Sequence, residues 1–129
     1  MTDHFSSADI QAFAGGSCAG WQIEVVAETD STNTRLKERA KAGAPEKLLL
    51  TAERQTAGRG RLGRSFLSPE GGIYFSLLVR PNIPLEGCTD LTVAAAVCTA
   101  QAVESFAVCA LTSSGSTTFM QTAKSFAAF

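Results

Sequence analysis

Between Trp21 and Glu53 the chain changes character twice. "WQIEVVAE" (21–28) is β-rich and partly alternating, "DSTNTRLKERAKAGAP" (30–45) offers several N-caps before a helix that stops near Gly43, and "KLLLTAE" (47–53) is a short apolar run suited to a buried strand. "IYFSLLVRP" (73–81) then reads as a third strand closed by Pro81. Residues 89–106 open on a Thr/Asp cap and place Leu91, Ala94, Ala95, Cys98, Ala102 and Val103 in an apolar helical stripe. Upstream, "SSADIQAFA" (6–14) carries a serine cap and Ile10, Phe13 and Ala14 at helical spacing, before "GGSCAG" ends the helix. The expected fold class is α/β (α+β), a mixed β-sheet flanked by helices.

A chain of 129 residues, 45% hydrophobic, fits one modest globular domain. Its 11 basic and 12 acidic residues balance to −1, which argues against a dedicated nucleic-acid binder. The cysteines at 18, 88, 98 and 109 form no C-x-x-C pair and His4 is the only histidine, so neither a zinc site nor a redox dithiol is expected. "LTVAAAVCTAQAV" (91–103) is too short and too polar to span a bilayer, and "MTDHFSSADI" lacks the features of a signal peptide. A soluble cytoplasmic protein, with no membrane partner, is the expectation.

The positive charge is concentrated in "ERQTAGRGRLGRSF" (53–66), where Arg59, Arg61 and Arg64 interleave with Gly58, Gly60 and Gly63. Arginine supplies a permanent charge and a planar fork of donors, and glycine permits positive φ and close backbone approach. A phosphorylated small molecule, a nucleic acid and a plain solvated loop are all open readings. Because the segment hangs from the end of a buried strand, phosphate is favoured, with backbone N–H groups around the three glycines expected to form an anion nest. "GRGRLGR" lacks the Lys-Ser/Thr ending of a nucleotide-triphosphatase loop and opens no helix as a dinucleotide fingerprint does. A single copy without interleaved aromatics is unlike an RNA-binding RG segment. The other chemistry-bearing stretch, Ser31-Thr32-Asn33, also sits at a strand end and reads equally well as a helix cap.

"DSTNTRLKERA" followed by "AERQTAGRGRLGRSFLSPEGGIYFSLLVRP" resembles the front half of the catalytic domain of bacterial biotin protein ligases, the biotin–[acetyl-CoA-carboxylase] ligases, over residues 22–106. The resemblance implies a biotin/lipoate ligase catalytic domain like that of class II aminoacyl-tRNA synthetases, here truncated. It implies ATP and biotin as substrates, with Mg²⁺ present. Biotin carboxylate attacks the α-phosphate to give biotinyl-5'-AMP, and a lysine of the biotin carboxyl carrier protein then takes the biotin. It further implies that Ser31, Thr32, Asn33 and Gln55 line the biotin pocket. Arg59, Gly60 and Arg61 belong to a loop that closes over the adenylate, the two arginines in a catalytic role; Gly63 and Arg64 fit the same motif. Nothing before residue 22 is long enough for the DNA-binding helix-turn-helix of some members, so DNA is not an expected partner. A lipoate ligase is the nearest rival, and an RG-loop nucleic-acid module the rival of another class.

From residue 107 to 129 the composition shifts to a Ser/Thr/Gly cluster with Lys124 as the only charge. The family would show "KW-x-ND" and then "GKK-x-x-GI" beyond the third strand, and neither is present. Back-translation of 111–129 read from the third base of its first codon yields D-I-K-W-V-N-D-L-Y-A-N-G-K-K-F-C-G-I. Third bases were chosen to favour the match, but each shifted codon takes its last two bases from an observed residue. The expectation is an N-terminal ligase part at 1–106 and an out-of-frame tail at 107–129. Such a chain should carry an unpaired sheet edge and an uncovered apolar face, fold poorly and make no biotinyl-AMP.

Overall fold

The computed structural model describes residues 6–113, which divide into two compact units at the boundary between Pro81 and Asn82. In the first unit, β1 (Gln22–Thr29), β2 (Leu48–Gln55) and β3 (Tyr74–Leu78) form a three-stranded sheet with β2 at its centre. β1 and β2 are parallel, with Gln22 opposite Leu48 and Thr29 opposite Gln55. β3 is antiparallel to β2, with Leu48 opposite Leu78 and Ala52 opposite Tyr74. Mixed pairing of this kind matches the architecture expected from the sequence.

Parallel neighbours need a crossover, and the capped segment supplies it as α2 (Thr32–Lys41). Ser31 adopts extended backbone and its Oγ accepts from the Thr34 N–H, which starts the helix. Gly43, at φ +85°, ends it in the left-handed region that side chains with a Cβ avoid. The guanidinium of Arg80, just past β3, donates to the carbonyls of Ala40 and Ala44 at 3.2 and 3.0 Å, satisfying acceptors at the helix end.

One face of the sheet is covered. Leu36 of α2 packs on Leu48 and Leu50, flanked by Val26 and Leu78, and each fully buried leucine contributes roughly 1.5–3 kcal/mol. Arg39 of α2 pairs with Glu24 of β1 on the same side. The opposite face is open along β3, where Phe75, Leu77 and Val79 are 43%, 47% and 45% exposed. β3 is an outer strand of the described sheet. The uncovered apolar strip and unpaired edge expected from the sequence are both present among the described residues.

The preceding helix, α1 (Ser7–Ala14), has a full capping box: Ser6 Oγ accepts from the Asp9 N–H while the Asp9 carboxylate accepts from the Ser6 N–H. It buries none of its residues, so the Ile10, Phe13 and Ala14 spacing marks a helix without marking a core. In the second unit a 3₁₀ turn at Leu85–Gly87 leads into α3 (Cys88–Ser113). The helix runs through the boundary expected at 106. Of its anticipated apolar stripe only Val103 is half-buried; Leu91, Ala94, Ala95, Cys98 and Ala102 are exposed, and among the described residues of this unit the 3₁₀ turn is what packs against the helix. Of the tail expected at 107–129, residues 114–129 lie outside the described residues.

Candidate functional site

Parallel pairing delivers the C-terminal ends of β1 and β2 to the same end of the sheet. The ladder continues past both strands, with the Thr56 N–H on the Thr29 carbonyl at 2.9 Å and the Ala57 N–H on the Asp30 carbonyl at 2.8 Å. This extension lays the root of the Arg/Gly segment beside the start of α2. The two stretches singled out in the sequence therefore meet, although 23 residues separate Thr32 from Gln55.

Gln55 is the junction. Its Oε1 accepts from the Thr32 backbone N–H at 2.9 Å and lies 3.2 Å from the Thr32 hydroxyl. Its Nε2 donates to Ser68 Oγ at 3.0 Å, and the Ser68 hydroxyl donates to the Phe66 carbonyl at 3.2 Å. At the other end, Thr32 Oγ1 is 2.9 Å from Ser76 Oγ on β3. Ser31, Thr32 and Ser68 are all buried, and among the described residues no buried side-chain polar atom lacks a partner. Asn33 points its position outward: it is exposed on the first turn of α2.

Ser68 and Ser76 carry no sequence signal of their own. Ser68 precedes Pro69 and Ser76 sits in a β-rich run, and only the fold brings them to Gln55 and Thr32. Beside this network lies a surface cavity of about 570 Å³, with Arg54, Gln55, Thr56, Ser68, Pro69 and Glu70 among its lining residues.

The Arg/Gly segment is a narrow hairpin. Gly60 N–H donates to the Arg64 carbonyl and Phe66 N–H to the Gly58 carbonyl, both at 2.8 Å, with Arg59 paired to Ser65. The Gly60 N–H is consumed by the hairpin, so this member of the expected anion nest is not available to a ligand. Gly58 is buried with an ordinary φ, and a Cβ there would overlap the Phe66 carbonyl oxygen and come 2.5 Å from Ser68 Oγ. Its role is close packing. Positive φ occurs at the tip instead, at Leu62 (+57°) and Gly63 (+74°).

Arg59 and Arg64 are exposed on the hairpin and form no ion pair among the described residues. The Arg61 side chain lies outside what is described; its backbone opens the tip. Two ion pairs stand near the site, Arg35 with Asp30 at 3.0 Å and Arg54 with Glu28 at 3.2 Å. The Ser31 backbone N–H holds the Asp30 carboxyl below its ordinary value of 3.8, with the Thr29 hydroxyl and Arg35 adding to the same direction. Among the described residues no three His, Cys, Asp or Glu side chains gather as a metal site.

Chemically, the site combines a buried hydroxyl-amide network able to orient an uncharged polar group with an adjoining hairpin on which Arg59 and Arg64 are exposed and available to an anion. The family model described as "Biotin/lipoate A/B protein ligase family" matches residues 25–125. The "Bifunctional ligase/repressor BirA" of Bacillus subtilis (strain 168) is 47% identical over 75 residues, 57% of this chain and 23% of the relative. The "Biotin--[acetyl-CoA-carboxylase] ligase" of Mycobacterium tuberculosis is 43% identical over 84 residues, 62% of this chain and 32% of the relative. Among solved structures, the Leishmania major biotin protein ligase in complex with biotin aligns at 31% identity and a TM-score of 0.53, over 63% of this chain and 33% of that one. Its complex with biotinyl-5-AMP gives 32% and 0.52, over 64% and 34%. The chain thus spans between 23% and 32% of the length of these two curated relatives.

Proposed function

This chain belongs to the biotin/lipoate A/B protein ligase family, and from that premise we propose that residues 22–106 form the biotin- and adenylate-binding part of a biotin–[acetyl-CoA-carboxylase] ligase. The observation that carries the reading is the Thr32–Gln55 contact, which joins the STN segment to the root of the arginine hairpin in one site. In the reaction of the whole enzyme, the biotin carboxylate forms a bond to the α-phosphorus of ATP and the bond to pyrophosphate breaks. A carrier-protein lysine then attacks the acyl carbon, AMP leaves, and an amide remains.

Each part of the site has a task in that scheme. Ser31, Thr32 and Gln55 orient the uncharged head of biotin. Asn33, exposed at the α2 N-terminus, is available to the ligand. Arg59 and Arg61, with Gly60 between them, stabilise charge on the phosphoryl oxygens, and the hairpin shields the mixed anhydride from water. Mg²⁺ accompanies ATP in this reading as the nucleotide's own counter-ion. The partner is the biotin carboxyl carrier protein of an acetyl-CoA carboxylase, and use of ATP fits a cytoplasmic setting. No helix among the described residues is long and apolar enough to cross a membrane.

Equilibrium dialysis of the 129-residue chain against labelled biotin tests the reading. Saturable binding is expected, weakened about tenfold in Gln55→Ala by loss of one hydrogen-bonding group. Absence of saturable binding sinks it. Salt-dependent RNA binding in its place points to the nucleic-acid module, and binding of lipoate alone to the other branch of the family.

A further inference from the structure

The buried network has a direction that follows from the chemistry of its members. A backbone N–H can only donate, so the Thr32 N–H fixes the oxygen of the Gln55 amide toward α2. The amide nitrogen must then face Ser68, whose oxygen accepts and whose single hydrogen is left for the Phe66 carbonyl. Phe66 in turn pairs with Gly58 across the hairpin root, at 2.8 Å. The Gln55 backbone is tied to the same residue, its N–H donating to the Ser68 carbonyl at 3.1 Å. Ser68 is 2% exposed, and the missing Cβ of Gly58 is what lets the hairpin lie against its hydroxyl.

We propose that Ser68 is a positioning residue that couples the orientation of the Gln55 amide to the placement of the arginine hairpin. It touches no reacting atom; it acts through Gln55 on one side and Phe66 on the other. The consequence for ligand capture rests on the biotin-binding reading: a ligand that fixes the Gln55 amide also fixes the hairpin root, which brings Arg59 and its neighbours to a defined place. The coupling itself exists without ligand and is testable without one.

Limited trypsin digestion of the full chain reads hairpin opening directly, as cleavage after Arg59, Arg61 and Arg64, with cleavage after Lys37 and Lys41 of α2 as the gauge of global unfolding. Ser68→Ala is expected to accelerate hairpin cleavage about fivefold to tenfold relative to α2, the loss of one buried hydrogen-bonded hydroxyl. Leu67→Ala, at a neighbouring exposed position, should leave the ratio unchanged. If Ser68 acts through Gln55, adding Ser68→Ala to Gln55→Ala causes little further acceleration. Full additivity, or equal cleavage in wild type and Ser68→Ala, overturns the proposal. Should Ser68→Ala raise α2 cleavage as much as hairpin cleavage, the same cycle is run with Ser68→Cys, which keeps the side-chain shape at a somewhat larger volume and weakens the hydrogen bonds, and is judged by the same outcomes. In a parallel arm, biotin should slow hairpin cleavage in wild type and lose that effect in Ser68→Ala at concentrations that still saturate it; retained protection overturns the coupling. Failure of wild type to bind biotin counts against the function reading alone, and the ligand-free cycle still decides the role of Ser68.

Discussion

A glycine can be required by space or by φ, and the hairpin contains both kinds. Gly58 is needed for space: Gly58→Ala pushes a methyl into the Phe66 carbonyl and Ser68 hydroxyl, and is expected to cost about 1–3 kcal/mol in urea unfolding, the range for overpacking. Leu62 is the reverse case, a branched residue at φ +57° that is 94% exposed. Leu62→Asn should raise the thermal midpoint slightly, since left-handed backbone costs a side chain like leucine about 1–2 kcal/mol and asparagine less. Asp30 provides a pH test. Its carboxyl sits below 3.8 in the folded chain, so its contribution is complete above that value and is lost as pH falls through the lower folded value. Acid titration of stability should therefore flatten below the ordinary aspartate range in Asp30→Asn. Local cap chemistry marked Ser31 and Thr32, whereas Gln55 was marked through the family resemblance. Ser68 was not legible, since its partners are set by tertiary approach.

At the level of elements, α2 is the piece on which both the core and the site depend. Leu36→Ala should cost about 2–5 kcal/mol in chemical denaturation, because the leucine is buried against Leu48 and Leu50. A serine at Phe75, on the open face, should change stability far less. The strand and helix positions were readable from short-range pattern: caps, a glycine stop and β-rich runs each act within a few residues. Pairing direction was not, nor the folding of the Arg/Gly segment into a hairpin, which depends on Gly60 meeting Arg64 and Gly58 meeting Phe66. Helical spacing in α1 and α3 foretold helices and carries no information on burial, because a stripe is buried only where something covers it.

For the whole molecule, the "KW-x-ND" and "GKK-x-x-GI" motifs of the resemblance do not occur in the sequence after residue 78. We expect the 129-residue chain to release no pyrophosphate with biotin and ATP, and normal turnover would contradict that. The frame hypothesis is checked by the nucleotides beside codons 111–129: unless a neighbouring frame encodes K-W-V-N-D, it fails. Phe75, Leu77 and Val79, together with the free edge of β3, should drive concentration-dependent self-association in sedimentation, reduced by serine at Phe75 and Leu77.

The parallel pairing of β1 and β2 also sorts insertions and deletions by where they fall. The turn between α2 and β2, from Ala42 to Lys47, lies away from the site, so added residues there leave Gln55 opposite Thr29. One residue added inside β2 instead turns every later side chain of that strand to the other face and removes Gln55 from Thr32. Length variation compatible with this site is thus confined to one end of the sheet, and the strand between Leu48 and Gln55 acts as its ruler.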